Sequence, residues 1–418
     1  MNDFQYQNKR LFCEDVPIQR IAEAVGTPFY VYSYKTLVRH FRVFDSAFRN
    51  LPHLTCFAVK ANSNLAILRL FIEEGGGVDI VSGGELYRAL QAGVDHRKIV
   101  YSGVGKKVEE IEYALSTGIL MFNVESSQEL EAISACAKKT GKTAAIALRI
   151  NPDIDAQTHP HISTGLKENK FGIHIEKSLE EYRRARSLKN IEVIGVSCHI
   201  GSQITKTLPF IDAFQRLKML LSQLQSEGFQ IRYLDIGGGL GITYKDETPP
   251  HPVEYAQALM ELSRDIPCTF IFEPGRVLVG NAGALITKVL YRKNVEHKEF
   301  VIVDAGMNDL VRPSLYDSYH RILPVVKRDQ NKITADVVGP ICESGDFLAK
   351  KRTMADVAQG EFIAVMSAGA YGFAMSSNYN SRPRVAEVLV RDDQFYVIRK
   401  RETYADLIRG EVIPEFHS

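Results

Sequence analysis

The chain has no run of about 18 apolar residues, so no transmembrane helix is expected. Its first stretch, MNDFQYQNKRLFCEDV, carries neither an apolar signal core nor a cleavage pattern. Cysteines are few and scattered: Cys13, Cys56, Cys136, Cys198, Cys268 and Cys342, with no CxxC pair among them. That spacing argues against zinc clusters and a disulfide scaffold, and a reducing cytoplasm is the simplest expectation. An excess of one charge is missing too. Lys plus Arg number 51 and Asp plus Glu 50, a formal net charge of +1. Nothing electrostatic therefore favours nucleic acid or an anionic membrane surface as a partner. Low-complexity stretches and short repeats are absent. What remains is ordinary for a globular enzyme, with 45% hydrophobic and 24% charged residues. Disorder, collagen and coiled coil are excluded for the bulk of the chain. A length of 418 residues implies more than one domain, although a single α/β barrel can absorb about 250.

The positive signal is a rhythm. Apolar runs rich in β-formers alternate with helix-like segments. The candidate strands are LTCFAVKA from Leu54, VDIVS from Val78, IVYSG from Ile99, LMFNVES from Leu120, AAIALRINP from Ala144, VIGVSCHIG from Val193, RYLDIGGG from Arg232 and FIFEPG from Phe270. Most are continuous rather than alternating, as parallel strands buried on both faces should be. Helical spacing fills the gaps: Leu65, Leu68 and Ile72 on one face, then Glu85 to Leu90, Glu129 to Ala137 and Phe210 to Leu224. Eight such repeats predict a (β/α)8 TIM-type barrel over residues 35–280, in preference to an open doubly wound sheet. Beyond residue 281, ALITKVLYRK, FVIVDAG, KITADVVGP, EFIAVMSAGA, RVAEVLVRD and QFYVIRK are strand-like and many are joined by short polar turns. They predict a second, mainly antiparallel β domain over 281–418, to which residues 1–34 (RLFCEDV, a helix from Pro17 to Val25, FYVYSY) would add. Ser33 can cap the next helix, whose Leu37, Phe41, Phe44 and Phe48 form a core stripe.

In a parallel barrel, chemistry gathers at the C-terminal ends of the strands. The first run ends in Phe57-Ala58-Val59-Lys60-Ala61-Asn62. Lys60 there is either a solvated residue just past the strand or a Schiff-base lysine whose pKa desolvation lowers. The sixth ends in Cys198-His199-Ile200-Gly201-Ser202-Gln203. A lone His is commonly structural, but a strand mouth beside Gly and Ser favours ligand contact. The seventh ends in Asp235-Ile236-Gly237-Gly238-Gly239-Leu240-Gly241. It is neither GxGxxG nor a P-loop. Its glycines free backbone N–H groups to approach an anion, and the seventh strand of a barrel is a common phosphate site. The eighth ends in Glu273-Pro274-Gly275-Arg276, either an internal Glu273–Arg276 ion pair or a carboxylate offered at the mouth. A lysine, a flat ring, an anion cradle and an acid together suit pyridoxal 5′-phosphate (PLP). The acid would keep the pyridine nitrogen protonated, so that the ring accepts electrons from a developing carbanion.

Nearly the whole chain, from FYVYSY onward, resembles the diaminopimelate decarboxylases, a PLP-dependent group built on an alanine-racemase-like barrel plus a β domain. The motifs that carry the resemblance run in order: FAVKAN around Lys60, GVDIVSGGEL from Gly77, HPHISTGLKENKFGI from His159, CHIGSQ from Cys198, DIGGGLGI from Asp235, EPGR from Glu273, CESGD from Cys342 and AGAYGFAMSSNYN from Ala368. The resemblance implies that Lys60 bonds the cofactor aldehyde, His199 stacks on its ring and Glu273 holds its pyridine nitrogen. Ser202, Gly238, Gly239, Gly275 and Arg276 would cradle the phosphate. Arg276, Arg312 and Tyr316 would bind substrate carboxylates, Glu343 the distal ammonium, and Tyr371 would reach both cofactor and substrate. Cys342 would return a proton to Cα after carbon dioxide leaves; its bland alternative is a small buried hydrophobe. Cys342 and Glu343 would come from the partner subunit, which implies a homodimer with shared active sites. The implied reaction is decarboxylation of meso-2,6-diaminopimelate at its D-centre to L-lysine, the last step of lysine biosynthesis. No metal is implied.

Other readings stay distinct. Ornithine-, arginine- or carboxynorspermidine-type decarboxylases share the fold, but ornithine and arginine lack the distal carboxylate assigned to Arg312, and that group usually carries Asp where Glu343 stands. An alanine racemase would place Arg, not Glu273, at the pyridine nitrogen. A non-catalytic PLP-binding regulator would usually have lost Lys60 or Cys342.

Overall fold

The computed structural model describes residues 2–155, 170–296, 298–328 and 331–416. The chain divides into two compact units, Val38–Gly280 and Met1–Leu37 with Asn281–Ser418.

The first unit is a closed parallel barrel. Its eight strands are His53–Ala58, Gly77–Ile80, Ile99–Tyr101, Met121–Val124, Ala144–Asn151, Ile191–Ser197, Tyr233–Asp235 and Thr269–Phe272. Each pairs with the next in parallel, and the eighth returns to the first with Phe270 opposite His53 and Phe272 opposite Thr55. Closure removes both edges and buries the strands on two faces, which is why their sequences are near-continuous apolar runs. The extra short strand Ile173–His174 pairs outside the ring, on Ala144–Asn151.

One local device starts two of the barrel helices. Ser82 and Ser126 cap Gly83–Gln91 and Ser127–Thr140, accepting from Glu85 N and Glu129 N at 3.2 Å each. The same two glutamates reach back to Val81 N (2.7 Å) and Glu125 N (3.0 Å). Free amides at the helix start are thereby satisfied as each strand hands over to its helix. The stripe Leu37, Phe41, Phe44 and Phe48 is buried, and Phe48 stacks on Phe272 with ring centroids 3.8 Å apart. Ser33 accepts from Thr36 N at 3.0 Å, as its capping role requires. One residue of an expected face is exposed. Leu65 is 43% exposed, whereas Ile67, Leu68, Leu70 and Phe71 are buried. Asn64 caps this helix, so Leu65 is its first residue, and the inward face is set by Phe71 against Phe57 and Phe41 (4.6 and 5.6 Å).

The second unit is a β domain. Phe29–Ser33, buried throughout, lies between Gly283–Val295, antiparallel to it, and Ala386–Arg391, parallel to it. Three strands of this unit escaped sequence reading, the short Ile322–Pro324 against Phe362–Val365 among them. Phe4–Gln7 pairs with Arg10–Cys13. Phe347–Ala355 pairs with Lys332–Val338, and its Lys350-Lys351-Arg352 centre hid it among turn-like residues. Among the described residues no helix is long and apolar enough to cross a membrane.

Replacing Phe48 by Ala should remove the stack on Phe272 and leave a cavity, costing about 3–5 kcal/mol. Urea unfolding checks it; a loss below about 1 kcal/mol would mean that the site refills.

Candidate active site

The ends of the barrel strands bring the candidate residues of this unit to one rim. Lys60 stands on a single 3-10 turn, Val59–Ala61, directly after the first strand ends at Ala58. Its Nζ donates to Asp79 Oδ2 at 2.6 Å. The Asp79 side chain is wholly buried and that of Lys60 is 35% exposed. The amine is thus past the strand, yet tied to a carboxylate inside it.

Glu273, just beyond the eighth strand, is nearly buried. Its Oε1 accepts from Ser102 Oγ at 3.3 Å and Asn123 Nδ2 at 3.4 Å. Asn123 Nδ2 also donates to Asp235 Oδ2 at 2.7 Å, while Gly237 N donates to Asp235 Oδ1 at 2.9 Å. Burial, then the neighbouring Asp235 charge and that of Asp79, push the Glu273 carboxyl well above the usual range. Burial pushes Asp235 up to about 6. Two carboxyls so close cannot both ionise at low cost, so the site favours the protonated form of Glu273.

His199 follows the sixth strand, and its Nδ1 accepts from Gly238 N at 3.1 Å. That donor leaves the ring hydrogen on Nε2. Burial, with the Arg149 and Lys60 charges, drives its pKa well down, so the imidazole is neutral and flat-faced. The glycine run is squeezed between neighbouring backbones. A Cβ on Gly238 would lie 2.2 Å from Glu273 O, and one on Gly239, at φ +113°, 2.5 Å from Gly201 O. Only glycine allows this approach. Arg276 begins the short helix Arg276–Val279 that Gly275 caps, and it donates to Ser202 Oγ (3.0 Å) and Tyr244 Oη (2.6 Å). Glu273 and Arg276 thus make these hydrogen bonds to different partners.

The other candidates belong to the β unit. Arg312, buried, opens the helix Arg312–Tyr316 and lies 3.2 Å from His320 Nε2 and 3.3 Å from Ser318 Oγ. Tyr316 ends that helix and is half-buried. Cys342 is exposed while the other five cysteines are buried, so it is not the small buried hydrophobe of the bland alternative. Glu343 is exposed beside it, and Tyr371 is half-buried with a left-handed φ of 56°. Residues 159–169 of the HPHISTGLKENKFGI motif lie outside the described residues.

Sequence reading missed Asp79, Ser102, Asn123 and Asp235 as site residues. Three of them carried a signal. Asp79, Asn123 and Asp235 are polar residues set inside buried apolar strands, a placement that costs several kcal/mol without a partner.

A buried acid, a glycine cradle that any Cβ would fill, a hydroxyl with a guanidinium for an anion, and a lysine amine fit a phosphorylated aldehyde with a basic ring nitrogen. Comparison with known proteins agrees. Residues 34–280 match the family of pyridoxal-dependent decarboxylases, at its pyridoxal binding domain. The barrel is thereby that of a PLP-dependent decarboxylase. A diaminopimelate decarboxylase of Haemophilus influenzae is 54% identical over 97% of this chain and 98% of its own. The crystal structure of the Helicobacter pylori diaminopimelate decarboxylase complexed with L-lysine is 44% identical, with a TM-score of 0.91 over 94% of this chain and 98% of that one. The crystal structure of the M. jannaschii diaminopimelate decarboxylase in co-complex with L-lysine is 38% identical, with a TM-score of 0.94 over 99% of both chains. The chain belongs to the diaminopimelate decarboxylase family.

The carboxyl pair makes a prediction about pH. Both folded pKa values are raised, so the folded state binds more protons than the unfolded one above about pH 4. Stability is full below that point and falls as pH rises through the folded values. Glu273→Gln mimics the protonated acid and should weaken this fall in cofactor-free protein. Urea melts at about pH 5 and pH 8 test it; an unchanged fall would place the titration elsewhere.

Proposed function

We propose that this protein decarboxylates meso-2,6-diaminopimelate at its D-configured centre, releasing L-lysine and carbon dioxide, with PLP as cofactor. The observation that carries the reading is the buried Glu273 carboxyl at the barrel rim, with Lys60 and the glycine cradle on neighbouring strand ends. Bound PLP supplies an electron-accepting ring that takes up the pair left when the Cα–carboxylate bond breaks. Lys60 would hold the aldehyde, and Glu273 would keep the hydrogen at the ring nitrogen. His199, neutral and flat, would lie against the ring. Ser202, Gly238, Gly239, Gly275 and Arg276 would hold the phosphate.

Substrate recognition falls to the remaining residues. Arg276, Arg312 and Tyr316 would bind carboxylates, a planar guanidinium matching a carboxylate fork. Glu343 would accept the distal ammonium, and Tyr371 would reach cofactor and substrate. Cys342 S–H would deliver a proton to Cα once carbon dioxide has left. An exposed thiol and an exposed carboxylate side by side suit delivery into a partner's site, so the working form would be a homodimer with shared active sites. A small amino-acid substrate and a cytoplasmic setting complete the reading.

The test is direct. Purified protein is incubated with PLP and meso-diaminopimelate, and lysine is quantified, with L-ornithine and L-arginine in parallel and Lys60→Ala as control. Lysine from diaminopimelate alone, lost in Lys60→Ala by about a thousandfold or more, is the expected result. Product from ornithine or arginine instead would overturn the substrate. No product despite bound cofactor would favour a PLP-binding regulator.

A further inference from the structure

The segment AGAYGFAMSSNYN ends in two side chains that the reading above leaves unused. Asn380 Oδ1 accepts from the backbone N–H of Cys342 at 2.7 Å. Tyr379 Oη donates to Glu343 Oε2 at 3.3 Å. Two adjacent residues thus hold two adjacent residues, each by its own contact. Asn380 has a left-handed φ of 55°, a conformation that asparagine tolerates better than other residues with a Cβ. The support beneath it is ordered. Ser377 N donates to Asn308 O at 2.8 Å, and Asn378 Nδ2 donates to Glu402 Oε2 at 2.7 Å.

The Cys342 loop is gripped from its other end too. Asp346, nearly buried, accepts from Ile341 N and Met307 N at 2.6 Å each. Gly339 runs so close to Ala305 that a Cβ would lie 2.5 Å from its carbonyl oxygen. Between these anchors stand the thiol and the carboxylate, both exposed. A cysteine side chain has a single heavy-atom torsion, so the position of its backbone decides where the sulfur can reach. Proton delivery tolerates an error of only about half an ångström. A glutamate carboxylate with one oxygen bound by a tyrosine hydroxyl presents the other in a set direction.

We propose that Asn380 and Tyr379 are positioning residues for these two groups, Asn380 aiming the Cys342 proton donor and Tyr379 aiming the Glu343 carboxylate at the distal ammonium. The proposal rests on the roles given above to Cys342 and Glu343. It separates two functions: Asn380 governs the proton-transfer step and Tyr379 governs recognition of the far end of the substrate.

Steady-state kinetics of the PLP-loaded enzyme test it, with Cys342→Ala and Glu343→Gln as references. Asn380→Gly keeps the left-handed backbone and removes the acceptor; Asn380→Asp keeps both. Asn380→Gly should lower kcat about tenfold, the worth of one well-placed hydrogen bond, with KM for diaminopimelate within about twofold. Asn380→Asp should recover most of that loss. Tyr379→Phe should raise KM about five- to tenfold and leave kcat near that of the unaltered enzyme. A second readout needs no turnover. Cys342 is the exposed thiol among six, so its alkylation rate by iodoacetamide should change several-fold in Asn380→Gly and hardly at all in Tyr379→Phe. Equal effects of the two variants on kcat and KM, failure of Asn380→Asp to recover, or an unchanged alkylation rate in Asn380→Gly would overturn the proposal. Full kcat in Cys342→Ala would instead strike at the role of the cysteine itself, a separate result.

Discussion

Two buried carboxyl groups set side by side, Asp235 and Glu273, are the constraint on which the barrel interior turns. Asp235 ends the seventh strand and Glu273 follows the eighth, so the pairing of these adjacent strands brings them together. A low-dielectric site cannot hold two negative charges side by side cheaply. The surrounding polar residues answer that cost. Asn123 spans both carboxyls, Ser102 adds a donor to Glu273, and Ser197 approaches Asp235 at 3.4 Å. These side chains come from the third, fourth and sixth strands or their ends, so a network of hydrogen bonds crosses the interior of the barrel. Such networks rigidify when fully satisfied and become liabilities when one member is lost.

The rim repeats this economy at a larger scale. Gly237 N binds Asp235, and Gly238 N binds His199. Consecutive amides of one glycine run thus fix an acid of the interior and a ring of the rim. The run can do so because its residues approach neighbouring backbone more closely than a side chain would permit. Chemistry at the rim is therefore held by main chain rather than by long, flexible side chains, the arrangement that pre-organised electrostatics requires.

The barrel was legible because parallel strands buried on both faces leave an unmistakable apolar rhythm. Each of the eight runs named from sequence overlaps one of the eight strands, four of which begin one or two residues earlier than the run. The Leu65 face was misjudged because period alone does not say which residue is the first of a helix; the Asn64 cap does. The strand Phe347–Ala355 was invisible because a basic centre obscures the pattern of a strand exposed on one side. Around Glu273 the difficulty was different. Sequence spacing names the residues at strand ends, but the partner of a buried acid is fixed only when the strands pair. Asp235 is 38 residues before Glu273 along the chain, and they meet because their strands pair. The signs at Asp79, Asn123 and Asp235 were nonetheless present: a charge or an amide inside an apolar run has to be answered by something.

The strand Phe29–Ser33 has a consequence for the order in which the protein is made. Its partners are Gly283–Val295 on one side and Ala386–Arg391 on the other. The first is translated about 250 residues later and the second about 350 residues later, a long separation for contacting segments. All residues of the barrel emerge in the interval, so the barrel can collapse while FYVYS is still without its neighbours. Four consecutive β-formers and a serine then wait with unpaired edges, the kind of segment that invites wrong pairing. Slow translation, a chaperone bound to residues 29–33, or fast completion of the C-terminal strands would each shorten or shield that interval, and the yield of native protein should depend on which of them the cell provides.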